Sequence, residues 1–155
     1  MIRVLFVCLG NICRSPMAEF IMKDAVEKEG IADRFSISSA GTSDEEEGNP
    51  VYPPAREELA KHGISCARKR ARQFCLSDYD KYDFILCMES RHVKSLQRLC
   101  GDPQCKISRL LDHSQHPHDI ADPWYTRNFA LAYAEIEEGV RAFLSEVQKR
   151  ENHGK

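Results

Sequence analysis

The chain has 155 residues, of which 42% are hydrophobic and 30% are charged, and its formal net charge is −2. This composition excludes a disordered, a collagen-like or a membrane-spanning protein. It also argues against nucleic acid as a partner, because nucleic-acid-binding domains normally carry a basic excess. The length suits a single domain over residues 1–155. The seven cysteines are an odd number and cannot all pair within the chain.

The compartment is indicated by the N-terminus and by the cysteines. The apolar stretch at residues 4–9 is too short for the core of an export signal and far too short to span a bilayer. We therefore expect a protein of the reducing cytoplasm, with free thiols and no membrane partner. The sequence gives no clear sign of an oligomer, so we expect a monomer. No C-x2-C pair is present, so we expect no thiolate zinc site, and we expect no cofactor.

The first elements in chain order are a strand, a loop and a helix. Residues 2–8 are β-branched and apolar with almost no alternation, which is typical of a strand buried on both faces of a parallel sheet. After a loop at residues 9–14, Ser15 followed by Pro16 predicts the start of a helix, with the serine as its N-cap. Gly30 ends this helix, and residues 35–40 alternate like a second strand.

Strands and helices continue to alternate in the rest of the chain. A polar loop at residues 42–54 precedes a helix from Pro54 to His62, and residues 64–66 favour a short extended piece. Later patterns predict a strand at 82–88, a helix at 91–99, a strand at 106–110 and a long amphipathic helix at 128–149. Together they indicate an α/β fold, a single doubly wound domain with a central parallel four-stranded sheet and helices on both faces.

The loop after the first strand has the composition of a phosphate-binding loop. Ligands bind at the carboxyl ends of strands in such sheets, and the N-terminus of the next helix favours an anion. Gly10 and Asn11 are best able to take positive φ, which lets successive N–H groups surround a phosphate or another oxyanion. Arg14 can hold two oxygens of that anion. The same field keeps Cys8 as a thiolate that can attack phosphorus.

The bare spacing of Cys8 and Arg14 is weak evidence on its own, because Cys66 and Arg72 have the same spacing. The second segment lacks glycine between residues 67 and 71, and four basic residues would repel each other around a small loop. We therefore interpret the second pair as coincidental. For the first pair, a plain turn with a buried cysteine is the alternative.

The segment VCLGNICRSPMAE, residues 7–19, resembles the signature of the low-molecular-weight protein tyrosine phosphatases. Later blocks resemble the same family in the right order: SSAGT at 38–42, ARQ at 71–73, DFILCM at 83–88 and DPWY at 122–125. The resemblance covers most of the chain. It implies a metal-independent phosphatase that acts on phosphotyrosine proteins or peptides and on small aryl phosphates.

The resemblance also implies catalytic and binding roles. Cys8 would be the nucleophile, Arg14 the phosphate clamp, and Asp122 the general acid and then the base for water. Asp119 lies three residues away and composition does not separate the two carboxylates, but the family pattern places the acid directly before the proline. The substrate-binding residues implied are Leu9, Gly10, Asn11, Ile12, Cys13, Ser15, Trp124 and Tyr125.

Supporting roles follow from the same resemblance. The Ser15 hydroxyl would stabilise the Cys8 thiolate as leaving group, with a helix cap alone as the alternative. Asn11 and Ser39 would hold the loop in shape. Cys13 would pair reversibly with Cys8 and prevent irreversible oxidation, or would be a small residue selected for fit.

Two positions and one segment depart from the family pattern. Lys69 stands where a histidine commonly supports the loop asparagine, which leaves that support in question. Glu89 stands where an aspartate often fixes the loop arginine, and its longer side chain could still do so. An acidic run at residues 44–47 replaces the usual aromatic at the cleft rim. This run is either a solvated loop or a local field that favours basic peptides.

Three other functions fit parts of the sequence. Phosphoarginine phosphatases of this fold have a loop motif that resembles residues 8–14 but has threonine at the position of Ile12. The isoleucine therefore favours phosphotyrosine as the substrate. An arsenate reductase would need a cysteine relay, for which Cys100 and Cys105 are available. A metal-binding protein is suggested by a cluster of potential ligands, His113, His116, His118 and Asp119, although an exposed loop without a joint role explains them as well.

Overall fold

The computed structural model describes residues 1–153, so residues 154 and 155 of the predicted domain lie outside the described residues. Parallel strands form one sheet in the order β2-β1-β3-β4. The strands are β1 (Ile2–Cys8), β2 (Phe35–Gly41), β3 (Phe84–Cys87) and β4 (Ile107–Arg109). This sheet confirms the predicted four-stranded parallel architecture.

Helices cover both faces of the sheet. The α-helices are α1 (Arg14–Lys28), α2 (Pro53–Lys61), α3 (Leu76–Lys81), α4 (Ser90–Cys100), α5 (Pro123–Thr126) and α6 (Phe129–His153). Helices α1, α2 and α6 share one core with the sheet, and α3 and α4 share the other. Within residues 1–153, no helix has both the length and the apolar character that a bilayer crossing requires.

Strand β1 carries the core because both of its faces are covered. Val4 and Phe6 pack into the core of α1, α2 and α6, whereas Leu5 and Val7 pack into the core of α3 and α4. All four side chains are fully buried. A strand with two apolar faces has no polar alternation, which explains the continuous hydrophobic run in the sequence.

Some predicted boundaries and elements are wrong. Helix α1 begins at Arg14 with Cys13 in the cap position and without a side-chain cap, so the predicted capping role of Ser15 is incorrect. The Ser15 hydroxyl is directed to Cys8 instead. Helices α3 and α5 were not predicted, because six and four residues are too few for an apolar stripe to show. Residues 64–66 form no strand.

The ends of three strands meet at one edge of the sheet. Cys8 at the end of β1 pairs with Gly41 of β2, and Val7 pairs with Cys87 of β3. A Cβ atom at Gly41 would lie 2.7 Å from the carbonyl oxygen of Leu9. Only glycine permits this close approach, so β2 supports the loop that follows β1 directly.

Candidate active site

The loop between β1 and α1 turns at Asn11. Asn11 has a φ of 60°, a left-handed conformation that asparagine tolerates better than most residues. Gly10 is not in that region, so positive φ is confirmed at Asn11 alone. The single left-handed residue reverses the chain direction between the strand and the helix.

Neighbouring segments hold the outer edge of this loop. The Leu9 carbonyl accepts a hydrogen bond from the N–H of Ser43 at 3.0 Å, and the Ile12 carbonyl accepts one from the N–H of Tyr52 at 2.9 Å. In a trans peptide the carbonyl and the following N–H point in opposite directions. The N–H groups that follow these two carbonyls are therefore turned to the inner side of the loop, where they can bind an anion.

The loop forms the floor of a cleft of about 190 Å³. The cleft is lined by Cys8, Leu9, Gly10, Ile12, Cys13, Arg14, Ser43, Glu45, Glu46, Asp122, Trp124 and Tyr125. Asn11 and Ser15, predicted to bind substrate, are buried behind the loop and do not line the cleft. Ser43 was not predicted, and Glu45 and Glu46 bring part of the acidic run to the rim.

Cys8 lies at the bottom of this cleft and is 3% exposed. Its Sγ is 2.9 Å from Ser15 Oγ. Asn11 Nδ2 donates a hydrogen bond to the same Oγ at 2.8 Å, so the hydroxyl proton of Ser15 is available for the sulfur. A hydrogen bond donated to sulfur stabilises negative charge on it, as a nucleophile or leaving group requires.

Cys13 lines the same cleft, but its chemistry differs from that of Cys8. Burial, together with the negative charge of Cys8, raises the pKa of the Cys13 thiol to about 12. Cys13 is therefore protonated near neutral pH and is a poor nucleophile. Its reversible pairing with Cys8 stays a prediction.

The other five cysteines do not line the cleft in the described chain. All seven cysteines lie within the described residues and are unpaired there. Cys66 is buried, and the Arg72 guanidinium donates to Asp78 at 2.9 Å, so the second Cys-Arg pair builds no anion loop. Cys100 and Cys105 are not among the residues that line the cleft in the described chain, which counts against a cysteine relay.

Arg14 is 1% exposed and is held by two hydrogen bonds from one nitrogen. Its Nη1 donates to Glu89 Oε2 and to the Ile120 carbonyl, both at 2.6 Å. Burial favours the neutral form of Glu89, but the hydrogen bond and charge of Arg14 hold the pKa of that carboxyl below its usual range. Glu89 therefore reaches the arginine. The second nitrogen, Nη2, faces Asp122 Oδ2 at 3.4 Å.

The geometry separates the two candidate acids. Asp122 lines the cleft, and its Oδ1 accepts a hydrogen bond from the Trp124 N–H at 3.0 Å. Asp119 accepts hydrogen bonds from the Ser90 N–H at 2.8 Å and from Arg109 at 3.1 Å. Asp119 thus anchors the loop to α4, while the Asp122 carboxylate faces the anion-binding loop.

A chain of hydrogen bonds supports the loop from behind. Asn11 Nδ2 donates to Ser39 Oγ at 2.9 Å, and Ser39 Oγ donates to Glu19 Oε1 at 2.6 Å. The carboxylate of Glu19 can only accept, which fixes the proton of Ser39. The Arg72 N–H donates to Asn11 Oδ1 at 3.1 Å, which fixes the orientation of the amide, so Asn11 Nδ2 donates to Ser15. The Ser15 proton then has two acceptors in reach, Cys8 Sγ at 2.9 Å and the Ala40 carbonyl at 3.4 Å, and the sulfur is the nearer.

Lys69 supports this chain in a way that the sequence did not indicate. Its Nζ lies 3.4 Å from Glu19 Oε1 and donates to the Ser39 carbonyl at 2.9 Å. Burial lowers the pKa of Lys69 despite the opposing charge of Glu19. The support passes through Glu19 and Ser39 and not directly to Asn11. Glu19 was missed in this role, although its place on the buried face of α1 was a detectable signal.

The histidines of residues 113–118 do not converge. Each faces a different glutamate of α6: His113 faces Glu146, His116 faces Glu138 and His118 faces Glu135. Within residues 1–153, no cluster of three or more potential ligands is arranged to hold a metal ion. The metal-binding hypothesis therefore has no geometric support in the described chain.

Comparisons with known proteins agree with this geometry. Residues 3–153 match the family model of low molecular weight phosphotyrosine protein phosphatase. The chain is 40% identical over 152 residues to the low molecular weight protein-tyrosine-phosphatase YfkJ of Bacillus subtilis (strain 168), with 96% of this chain and 97% of that protein covered.

Solved structures show the same relationship. The crystal structure of YfkJ gives a TM-score of 0.94 at 40% identity, over 97% of this chain and 96% of that one. A Drosophila arginine phosphatase, DARP, gives a TM-score of 0.87 at 30% identity, over 93% and 96% of the two chains. The match of nearly the whole sequence, together with the cleft that β1, β2 and β3 build, shows that the chain belongs to the low molecular weight protein tyrosine phosphatase family.

Proposed function

We propose that the protein hydrolyses phosphotyrosine in proteins or peptides through a phosphocysteine intermediate on Cys8. The observation that carries the proposal is the 3.4 Å contact between Arg14 and Asp122 in the cleft that Cys8 lines. Phosphoryl transfer depends mainly on positioning and on charge stabilisation. A thiolate, a fixed guanidinium and a carboxyl group at one anion-binding loop supply both.

In the first step, Cys8 Sγ attacks phosphorus while the bond from phosphorus to the phenolic oxygen breaks. Arg14 Nη2 and the inward N–H groups of the loop hold the phosphoryl oxygens. Asp122 donates its proton to the departing phenolic oxygen, so that tyrosine leaves as a neutral phenol. The products of this step are the protein or peptide with its tyrosine dephosphorylated, and the phosphocysteine.

In the second step, a water molecule attacks phosphorus and the phosphorus–sulfur bond breaks. Asp122, now a carboxylate, accepts the proton of the water. The Ser15 hydroxyl, 2.9 Å from Cys8 Sγ, stabilises the departing thiolate. Inorganic phosphate is released and the thiolate is ready for another cycle.

The lining of the cleft favours an aryl phosphate. Ile12 supplies an apolar wall, and Trp124 and Tyr125 supply aromatic walls that an aryl ring can pack against. A phosphoserine side chain is too short to reach the floor of such a cleft from a peptide backbone outside it. Ile12 offers no hydroxyl to the guanidinium group of phosphoarginine, which favours phosphotyrosine over the substrate that the name of DARP indicates for that neighbour.

The nucleophile is tested with a small aryl phosphate and no added metal. We expect turnover that vanadate blocks, and no turnover in Cys8→Ser. Cys66→Ser is the matched control, because Cys66 is also buried and also precedes an arginine by six positions. The control should keep wild-type kcat. An active Cys8→Ser variant would show that the mechanism is wrong.

The acid and the substrate are tested separately. Asp122→Asn should lower kcat/KM, which reports only the steps up to the phosphocysteine, by about 10²–10⁴-fold with phenyl phosphate, and much less with dinitrophenyl phosphate, whose phenolate leaves without a proton. Peptides that carry phosphotyrosine, phosphoserine or phosphoarginine are then compared by kcat/KM. A preference for phosphoarginine would overturn the substrate assignment and leave the thiolate mechanism intact.

A further inference from the structure

We propose that Tyr52 and Arg127 form a clasp that holds Trp124 and thereby positions Asp122 over the phosphate-binding loop. The inference rests on the proposed function, because it assigns two positioning residues to that reaction. Neither residue lies in a segment whose sequence pointed to the site.

Tyr52 joins the floor of the cleft to its wall. Its N–H donates to the Ile12 carbonyl at 2.9 Å, which ties it to the anion-binding loop. Its ring centre lies 4.7 Å from that of Trp124, at an angle of 49°. It also lies 6.0 Å from the ring of Phe129, at the start of α6. These are ordinary distances for attractive aromatic pairs.

Arg127 closes the clasp from the other side. Its guanidinium donates to the Tyr52 hydroxyl at 3.1 Å and to the Trp124 carbonyl at 3.3 Å. The guanidinium carbon lies 5.4 Å from the Tyr52 ring centre and 5.5 Å from that of Phe129, which is within range for cation–π attraction. Arg127 therefore contacts both Tyr52, whose ring packs against Trp124, and the backbone of Trp124 itself.

Asp122 depends on these contacts because α5 cannot position itself. The helix has four residues, Pro123–Thr126, and a single turn is not stable alone. The side chain of Trp124 is 44% exposed, so the core does not hold it. Since the Trp124 N–H donates to Asp122 Oδ1 at 3.0 Å, a shift of Trp124 moves the carboxyl group away from the leaving oxygen.

The clasp is tested first by kinetics with two leaving groups. With phenyl phosphate, Arg127→Ala and Tyr52→Ala should each lower kcat/KM, which reports only the steps up to the phosphocysteine, by about tenfold, since a misplacement of about 1 Å can cost up to 10²-fold. With dinitrophenyl phosphate, kcat/KM should stay within about twofold, because that leaving group needs no acid. Tyr52→Phe keeps the ring and loses the hydroxyl, and should fall between wild type and Tyr52→Ala.

A second measurement does not depend on catalysis. Trp124 is the one tryptophan of the chain, so fluorescence excited at a wavelength that the five tyrosines do not absorb reports on it alone. Arg127→Ala and Tyr52→Ala should increase acrylamide quenching and lower the anisotropy of this fluorescence. Arg141→Ala is the matched control, because Arg141 is 75% exposed and pairs along its own helix, α6, with Glu137. It should change neither the quenching nor the kinetics.

The outcomes separate the clasp from the mechanism. Equal losses of kcat/KM with both substrates would overturn the clasp, because they would indicate general damage to the loop. Unchanged quenching, or changed quenching with unchanged kcat/KM for phenyl phosphate, would overturn it as well. If Asp122→Asn lacks a leaving-group effect in the wild-type background, the proposed acid is wrong, and the fluorescence still decides whether Tyr52 and Arg127 hold Trp124. With phenyl phosphate, the double variant Tyr52→Ala/Arg127→Ala should lose no more activity than either single variant, because both substitutions open the same clasp.

Discussion

Replacement of Lys69 by methionine removes a cation from a buried carboxylate. The side chains of Glu19 and Lys69 are 5% and 10% exposed, with 3.4 Å between their charged atoms. Removing one partner of a fully buried pair costs about 3–5 kcal/mol. Lys23, at 2.6 Å and 44% exposed, still pairs with Glu19. We therefore expect the free energy of unfolding to fall by about 2–3 kcal/mol, which lowers Tm by roughly 4–12 °C for a chain of this size.

The assay is thermal and denaturant unfolding at neutral pH, with Lys23→Met as the matched control. Lys23 contacts the same carboxylate from solvent, so its loss should cost at most about 1 kcal/mol. Adding Glu19→Gln to Lys69→Met should recover part of the loss, because no uncompensated charge remains buried. If Lys69→Met and Lys23→Met are equally stable, or if the double variant recovers nothing, the reasoning about Lys69 is refuted.

Two further predictions concern the backbone and the pH dependence. Gly41→Ala places a Cβ 2.7 Å from the Leu9 carbonyl oxygen, and should cost about 1–3 kcal/mol of stability and lower kcat with an aryl phosphate. An alanine variant with wild-type unfolding and kinetics would contradict the close approach. The hydrogen bond that His118 donates to the Glu135 carboxylate raises the pKa of His118, so this pair stabilises the fold below the ordinary histidine pKa and loses its effect as pH rises through the raised value. The difference in Tm between wild type and Glu135→Gln should therefore be larger near pH 6 than near pH 8.5, and a difference that grows with pH would contradict the pairing.

The parts of the fold that could be predicted are those with local causes. Strand β1 is buried on both faces and so has a continuous apolar sequence. The loop after it has its cysteine, asparagine and arginine within seven positions, Cys8 to Arg14, so its chemistry is readable from the sequence alone. The order of strands and helices likewise follows from alternating patterns along the chain.

The parts that could not be predicted depend on contacts between distant segments. Glu19 and Lys69 meet because α1 and the segment after α2 pack beside the end of β2, and no local pattern reports that pairing. The Ser15 hydroxyl had two possible partners, the free N–H groups of the helix and the Cys8 sulfur. The local rule favoured the first, whereas the tertiary structure provides the second. Asp119 and Asp122 differ only in which neighbours the fold gives them.

The pairing of Cys8 with Gly41 and of Val7 with Cys87 has a consequence for folding. The anion-binding loop needs β1, β2 and β3 in register, so its parts come from positions that are far apart in the chain. An oxyanion that binds this loop therefore binds only chains whose sheet is assembled, and it stabilises the whole fold by mass action. Because such non-local pairing forms slowly, the recovery of phosphate or vanadate binding during refolding marks the moment when the sheet closes.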